Sequence, residues 1–120
     1  MRFILLFLLT FSYIQAKTPY EKGKELYIAK ACYSCHGHKL EGMHRYPRLA
    51  NRAKGYLSYK LKHFRSGKAD NQQQEMMISF ATALSDEDID NLTTFFRDYV
   101  DEEVSERYDD SYEVYGDGGS

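Results

Sequence analysis

The feature that most constrains how this chain of 120 residues folds is a five-residue pattern at residues 32–36. Cys32 and Cys35 are the only cysteines, two residues separate them, and His36 follows directly. Closing so short a loop gains little entropy, so the pair is not placed to cross-link distant segments. The length corresponds to one domain, and domains this small often need a cross-link or a cofactor for stability.

Three site types use two cysteines at this spacing. A thiol-redox site places them at a helix start after a strand, but residues 21–31 are predicted to be helical. A zinc site needs two more ligands, and His38, His44 and His63 do not form a second compact pair. Attachment of c-type haem uses both thiols and the adjacent histidine. The pattern therefore predicts one haem c, bound covalently through Cys32 and Cys35, with His36 on the iron.

The first sixteen residues have the pattern of a secretory signal. Met1 and Arg2 precede an apolar run over residues 3–14, and Ala16 supplies a small residue before polar sequence. A membrane anchor is the alternative, but it needs about 20 apolar residues. We expect cleavage after Ala16, export to the periplasm, and no membrane span in the mature protein.

A haem with one histidine ligand leaves a sixth iron position, for which the chain offers three methionines. Met43 is only seven residues from His36, too near to reach the other haem face. Met76 and Met77 follow a polar run at residues 71–75, which is predicted to be an irregular loop. Methionine ligation suits electron transfer, whereas an open position allows ligand binding or peroxidase chemistry. These considerations leave Met76 and Met77 both open.

Helical spacing of apolar residues recurs in three segments. Helices are predicted over residues 21–31, 54–66 and 85–99, with Gly67 ending the second and Ser85 capping the third. No strand alternation is convincing. The sequence therefore predicts an all-α fold with three to four helices around one haem.

From about Tyr20 to Val100 the chain resembles a class I cytochrome c. It is most similar to single-haem relatives of the bacterial periplasmic dihaem cytochrome c group. The resemblance rests on the haem motif, Gly23 to Tyr27, Tyr46 to Ala50, Tyr56 to Gly67, and Met77 to Phe96. It implies a cytochrome c domain over residues 17–100. It also implies Met77 as the sixth ligand, because this residue lies seven positions before a Leu-Ser pair that opens the last helix.

Further roles follow from the same resemblance. The carbonyl of Pro47 is expected to accept a hydrogen bond from His36, although an ordinary turn proline is the alternative. Arg52 is expected near a haem propionate, with a solvated surface arginine as the alternative. Gly23 is expected where the first and last helices cross closely over Phe95. His63 is the one reserve ligand.

Charge is distributed unevenly along the chain. Residues 39–68 contain nine lysines and arginines against one acidic residue, whereas residues 98–120 contain nine acidic residues and one arginine. Solvated surfaces are the simplest explanation. We expect residues 101–120 to be a disordered acidic tail that lies across the basic face and competes with acidic redox partners. No nucleic-acid-binding motif accompanies the basic residues.

These observations favour an electron carrier rather than an enzyme, exchanging electrons with a protein donor and a protein acceptor, for which a terminal oxidase or a dehydrogenase is a candidate. One alternative is the haem subunit of a periplasmic dehydrogenase complex, such as a sulfide-oxidising flavoprotein. The other is a haem sensor or peroxidase, in which no methionine stays on the iron.

Overall fold

The computed structural model describes residues 15–107, and within this range it is helical. The elements are α1 (Pro19–Ala29), α2 (Tyr33–His36), α3 (Lys54–Arg65), a 3-10 turn (Gln72–Gln74), α4 (Glu75–Ala81), α5 (Asp86–Arg97) and α6 (Glu102–Arg107). Residues 15–107 contain no strand, only an isolated bridge between Met43 and Tyr46. The predicted all-α fold is confirmed. No helix in this range is long and apolar enough to cross a bilayer.

Helices α1 and α5 both begin with reciprocal side-chain caps. Thr18 and Glu21 form the capping box of α1, and Ser85 and Asp88 form that of α5. In each pair the hydroxyl accepts a backbone N–H and the carboxylate accepts the N–H of the cap residue, which satisfies two orphan donors. The helix predicted over residues 21–31 lies two residues earlier, because Ala31 has a φ of 55° and cannot continue it.

The core forms where α1 crosses α5. Gly23 is buried in α1, and a Cβ there would overlap the carbonyl of Asn91 and approach the Cβ of Phe95 to 2.8 Å. The close crossing expected at Gly23 is therefore confirmed. The ring of Phe95 packs edge-on against Tyr20, with 5.1 Å between centroids, and lies 5.6 Å from the ring of Tyr27. Aromatic side chains from both helices thus bury the contact.

The loop between α2 and α3 is anchored at two points. Leu40 is fully buried, and its carbonyl accepts the backbone N–H groups of Leu49 and Ala50. Asn51 donates its side-chain amide to the carbonyls of Arg97, at 3.1 Å, and Tyr99, at 2.8 Å. Since the last carbonyls of a helix lack partners within it, Asn51 both satisfies the end of α5 and fixes the loop against it.

The two chain ends lie largely outside the described range. The predicted signal peptide covers residues 1–16, of which 1–14 are outside it. The predicted tail covers residues 101–120, of which 108–120 are outside it. Helix α6 forms the first part of this tail. At its start, Lys39 pairs with Asp101 at 3.3 Å and with Glu103 at 3.1 Å. Lys24 lies 3.6 Å from Glu102.

Candidate cofactor-binding cavity

One helical turn brings the two thiols together after α1 ends. The backbone N–H of Cys32 donates to the carbonyl of Tyr27 at 3.0 Å, and α2 then carries the chain to His36. Cys32 and Cys35 are both free thiols and half-buried. Burial raises the pKa of the Cys32 thiol above its ordinary value. The arrangement is thus a pair of free thiols that line one cavity.

His36 is buried and oriented by a single backbone contact. The ring is 7% exposed, and Nδ1 lies 2.9 Å from the carbonyl oxygen of Pro47. Because a carbonyl only accepts, Nδ1 carries the hydrogen and Nε2 keeps its lone pair. Burial lowers the pKa of His36, and the hydrogen bond to Pro47 only partly offsets it. A neutral imidazole with a free Nε2 is the form that binds a metal ion.

Gly42 makes the contact between His36 and Pro47 possible, and the sequence analysis did not single it out. Its backbone N–H donates to the carbonyl of His36 at 2.8 Å. Its φ is 78°, and a Cβ would lie 2.6 Å from the carbonyl oxygen of Tyr46 and 2.9 Å from the carbonyl carbon of Pro47. In the sequence, the only indication of this role was a glycine in a polar loop after the motif.

All six predicted site residues line one cavity of about 320 Å³. They are Cys32, Cys35, His36, Pro47, Arg52 and Met77. The interior is apolar, formed by Leu57, Leu61, Phe64, Leu84, Leu92 and Phe96. The lining also includes four cationic residues, namely Lys30, Arg45, Arg52 and Lys60. This combination suits a flat apolar group that carries negative substituents at one edge.

Helix α4 brings both candidate methionines to the cavity. Met76 and Met77 line it together, but Met76 is 49% exposed, whereas Met77 is half-buried against the core. The irregular loop predicted over residues 71–75 is wrong in part, since residues 72–74 form the 3-10 turn and α4 begins at Glu75. Met43 is 46% exposed and does not line the cavity. The reserve ligand His63 also lies outside it, with Nε2 3.1 Å from Asp70.

Arg52 lies at the edge of the cavity. Its guanidinium carbon is 5.0 Å above the ring centroid of Tyr56, and Nη1 lies 3.4 Å from the carbonyl oxygen of Arg48. No carboxylate pairs with it among the side chains that the structure describes, those of residues 15–104. Its charge is thus available to an anionic group bound in the cavity.

The residues fit a haem. Two half-buried thiols could provide covalent attachment, a neutral imidazole could serve as an iron ligand, apolar side chains would form the walls, and cationic side chains are part of the lining. Each property matches one part of the group: the vinyl substituents, the iron, the porphyrin face and the propionates.

Comparison with known proteins agrees with this fit. Residues 20–99 match the family model described as Cytochrome c. Cytochrome c-554(547) of Halothiobacillus neapolitanus is 33% identical over 81 residues, which cover 61% of this chain and 88% of that protein. Cytochrome c-554(548) of Halomonas halodenitrificans is 32% identical over 66 residues, covering 54% and 80%.

A solved structure shares the fold. The cytochrome c4 structure of Acidithiobacillus ferrooxidans superposes with a TM-score of 0.59 at 22% sequence identity. The match covers 72% of this chain and 52% of the other, so this chain spans about half the length of that structure.

Proposed function

The chain belongs to the cytochrome c family, and from this premise we propose that it is a periplasmic one-electron carrier whose haem iron is held by His36 and Met77. Family membership implies a covalently bound c-type haem, attached at Cys32 and Cys35, and haem-based electron transfer. The ligand pair, the compartment and the partners are our proposal.

The observation that carries the proposal is the shared cavity. His36, whose Nε2 is not used in the hydrogen bond to Pro47, and Met77 line the same cavity as the two thiols and the apolar side chains. When bound, the haem supplies an iron that gains or loses one electron. The protein supplies two ligands that stay in place, and a thioether sulfur favours the reduced iron and raises the reduction potential.

Other residues of the chain adjust that potential. The carbonyl of Pro47 accepts a hydrogen bond from Nδ1 of His36, which fixes the imidazole and increases its electron donation. Arg52 would pair with a propionate at the rim of the cavity. Apolar side chains exclude water, so little solvent has to reorganise when the iron changes charge.

The partners that we propose are acidic redox proteins. Lys30, Arg45 and Arg52 lie at the rim of the cavity, so positive charge surrounds the point where an electron would leave. Such a surface accelerates encounter with an acidic partner without adding much affinity. The periplasm follows from the signal pattern of residues 1–16. An exported product that begins at Lys17, identified by its intact mass, would support this location.

Absorption spectra of the matured protein test the ligand assignment. The ferric wild type should show the long-wavelength band of sulfur-to-iron bonding, and Met77→Ala should lose the band and have a lower potential. Met76→Ala is the matched control, since it removes the neighbouring thioether, and should keep the band. Loss of the band in Met76→Ala alone would overturn the assignment. A protein mass without one added haem would overturn the attachment.

A further inference from the structure

A group of polar side chains around one lysine holds the segment between α3 and α4. Nζ of Lys60 lies 2.7 Å from Oδ2 of Asp70 and 3.2 Å from Oε1 of Gln74. The Gln74 oxygen also accepts the backbone N–H of Asp70 at 3.1 Å, and His63 Nε2 lies 3.1 Å from Asp70 Oδ1. We call Lys60, His63, Asp70 and Gln74 the Lys60 network. It joins the middle of α3 to the residue that precedes α4.

Lys60 is more enclosed than the other lysines that form ion pairs within residues 15–107. Its side chain is 14% exposed, and Nζ lies 5.1 Å from the ring centroid of Phe64, which is buried. Hydrogen bonds of an enclosed charge are stronger than those on an open surface. The pKa of Asp70 is lowered, mainly by its hydrogen bond from Lys60. The Asp70 side chain is 59% exposed, so it is the Lys60 side of the pair that is enclosed.

Helix α4 is held at its start by the Lys60 network and by Asn71, whose Oδ1 accepts the backbone N–H of Gln74 at 3.0 Å. It is seven residues long, and Ala81, near its end, is its only buried residue. Its main packing partners are α3 and the 3-10 turn. A helix this short does not form alone, so contacts from outside must fix its start. Met77 lies in this first turn, three residues after Gln74.

We propose that Lys60 is a positioning residue, which holds the start of α4 so that Met77 stays at the cavity. The role rests on the proposed ligation by Met77. Lys60 acts through Asp70 and Gln74, and its removal weakens the bond between methionine and iron while the chain still folds.

Displacement of methionine by added imidazole measures this role in the ferric holoprotein. Loss of the sulfur band during the titration gives an apparent dissociation constant for imidazole. In Lys60→Met this constant should fall by about three- to tenfold, the range expected for one hydrogen-bonded ion pair. Asp70→Ala should lower this constant similarly while leaving Lys60 in place. This variant therefore distinguishes an effect through Asp70 from a direct effect of Lys60 on the haem. Lys62→Met is the matched control: it removes an exposed lysine of the same helix and should leave the constant unchanged.

The double variant and a denaturation curve make the test decisive. In the double variant Lys60→Met with Asp70→Ala, the decrease in the imidazole constant should be only slightly larger than in the more affected single variant, since the two residues act as a pair. A lower guanidinium midpoint with wild-type imidazole affinity in both single variants would show a merely structural role and overturn the proposal. A wild type without the sulfur band, or a Met77→Ala variant that keeps it, would overturn the ligand assignment and the role of Lys60 with it.

Discussion

Tyr27 is the residue that ties the first helix to the end of the haem-attachment turn. Its side chain is 2% exposed, and the hydroxyl donates to the carbonyl of Gly37 at 2.6 Å. Burial raises the pKa of the phenol far above its ordinary value, so the hydroxyl keeps its proton and remains a donor at neutral pH. Gly37 itself has a φ of 88°, and its hydrogen bond fixes the turn directly after His36.

Replacing Tyr27 by phenylalanine should lower the free energy of unfolding by about 0.5–1.5 kcal/mol, because the carbonyl of Gly37 loses one of its two donors and keeps only the backbone N–H of Leu40. Guanidinium unfolding of the holoprotein measures this. Tyr33→Phe is the control, since Tyr33 stacks on His38 with 4.5 Å between centroids and its hydroxyl makes no hydrogen bond within residues 15–107. We expect a change within about 0.5 kcal/mol there. Equal effects of the two substitutions would contradict the role of Tyr27.

The candidate haem-binding residues were easier to predict from the sequence than the residues that hold them in position. Cys32, Cys35 and His36 form a local pattern, and a family resemblance directed attention to Pro47 and Met77. Gly42 carries no such signal, since its role depends on how closely residues 46–48 approach it in space. The Lys60 network joins residues up to 14 positions apart, and no short pattern in the sequence indicates that pairing.

The crossing of α1 and α5 depends on the absence of a side chain at Gly23. Glycine costs a helix about 1 kcal/mol relative to alanine, so an open site would gain from the exchange. At Gly23 a Cβ would meet the carbonyl of Asn91, which is backbone and cannot rotate away. The two helices must then separate, and the packing of Tyr20 and Tyr27 on Phe95 is disturbed.

Gly23→Ala should therefore destabilise the holoprotein by about 1–3 kcal/mol, the usual cost of overpacking, despite the gain in helix propensity. Gly55→Ala in α3 is the matched control, because nothing lies within 4 Å of a Cβ there. It should stabilise the protein by up to about 1 kcal/mol. Thermal unfolding of both variants checks that the two substitutions change the stability in opposite directions. A stabilising Gly23→Ala would show that the helices are not in close contact.

Long helices were predictable and short ones were not. The segments of α1, α3 and α5 each repeat apolar residues at helical spacing. The N-terminal caps of α1 and α5 are visible in the sequence as Thr18 and Ser85. Helices α2 and α4 have four and seven residues, too few for a periodic pattern. The polar residues before Met76 suggested a loop, but Asn71 caps the 3-10 turn that leads into α4.

The molecule as a whole has two parts of opposite charge. Residues 17–100 carry 14 basic and ten acidic side chains, whereas residues 101–120 carry eight acidic and one basic. The C-terminal segment therefore reverses the sign of the net charge of residues 17–120. Its first contacts are the ion pairs of Lys39 with Asp101 and Glu103, and hydrogen bonding to Glu103 raises the pKa of Lys39. Both pairs involve side chains that are at least partly exposed, and such pairs are individually weak.

Removal of residues 101–120 should accelerate electron exchange with an acidic redox protein by about two- to tenfold at low ionic strength, because long-range attraction replaces repulsion. The gain should vanish near 0.5 M salt, where the screening length falls to about 4 Å. Stopped-flow rates over a range of salt concentrations measure both effects. A chain ending at Arg107 keeps α6 and its pairs with Lys39, so its rates separate the contribution of α6 from that of residues 108–120. Identical salt slopes for the full and the shortened chains would mean that the acidic segment does not act on partner encounter.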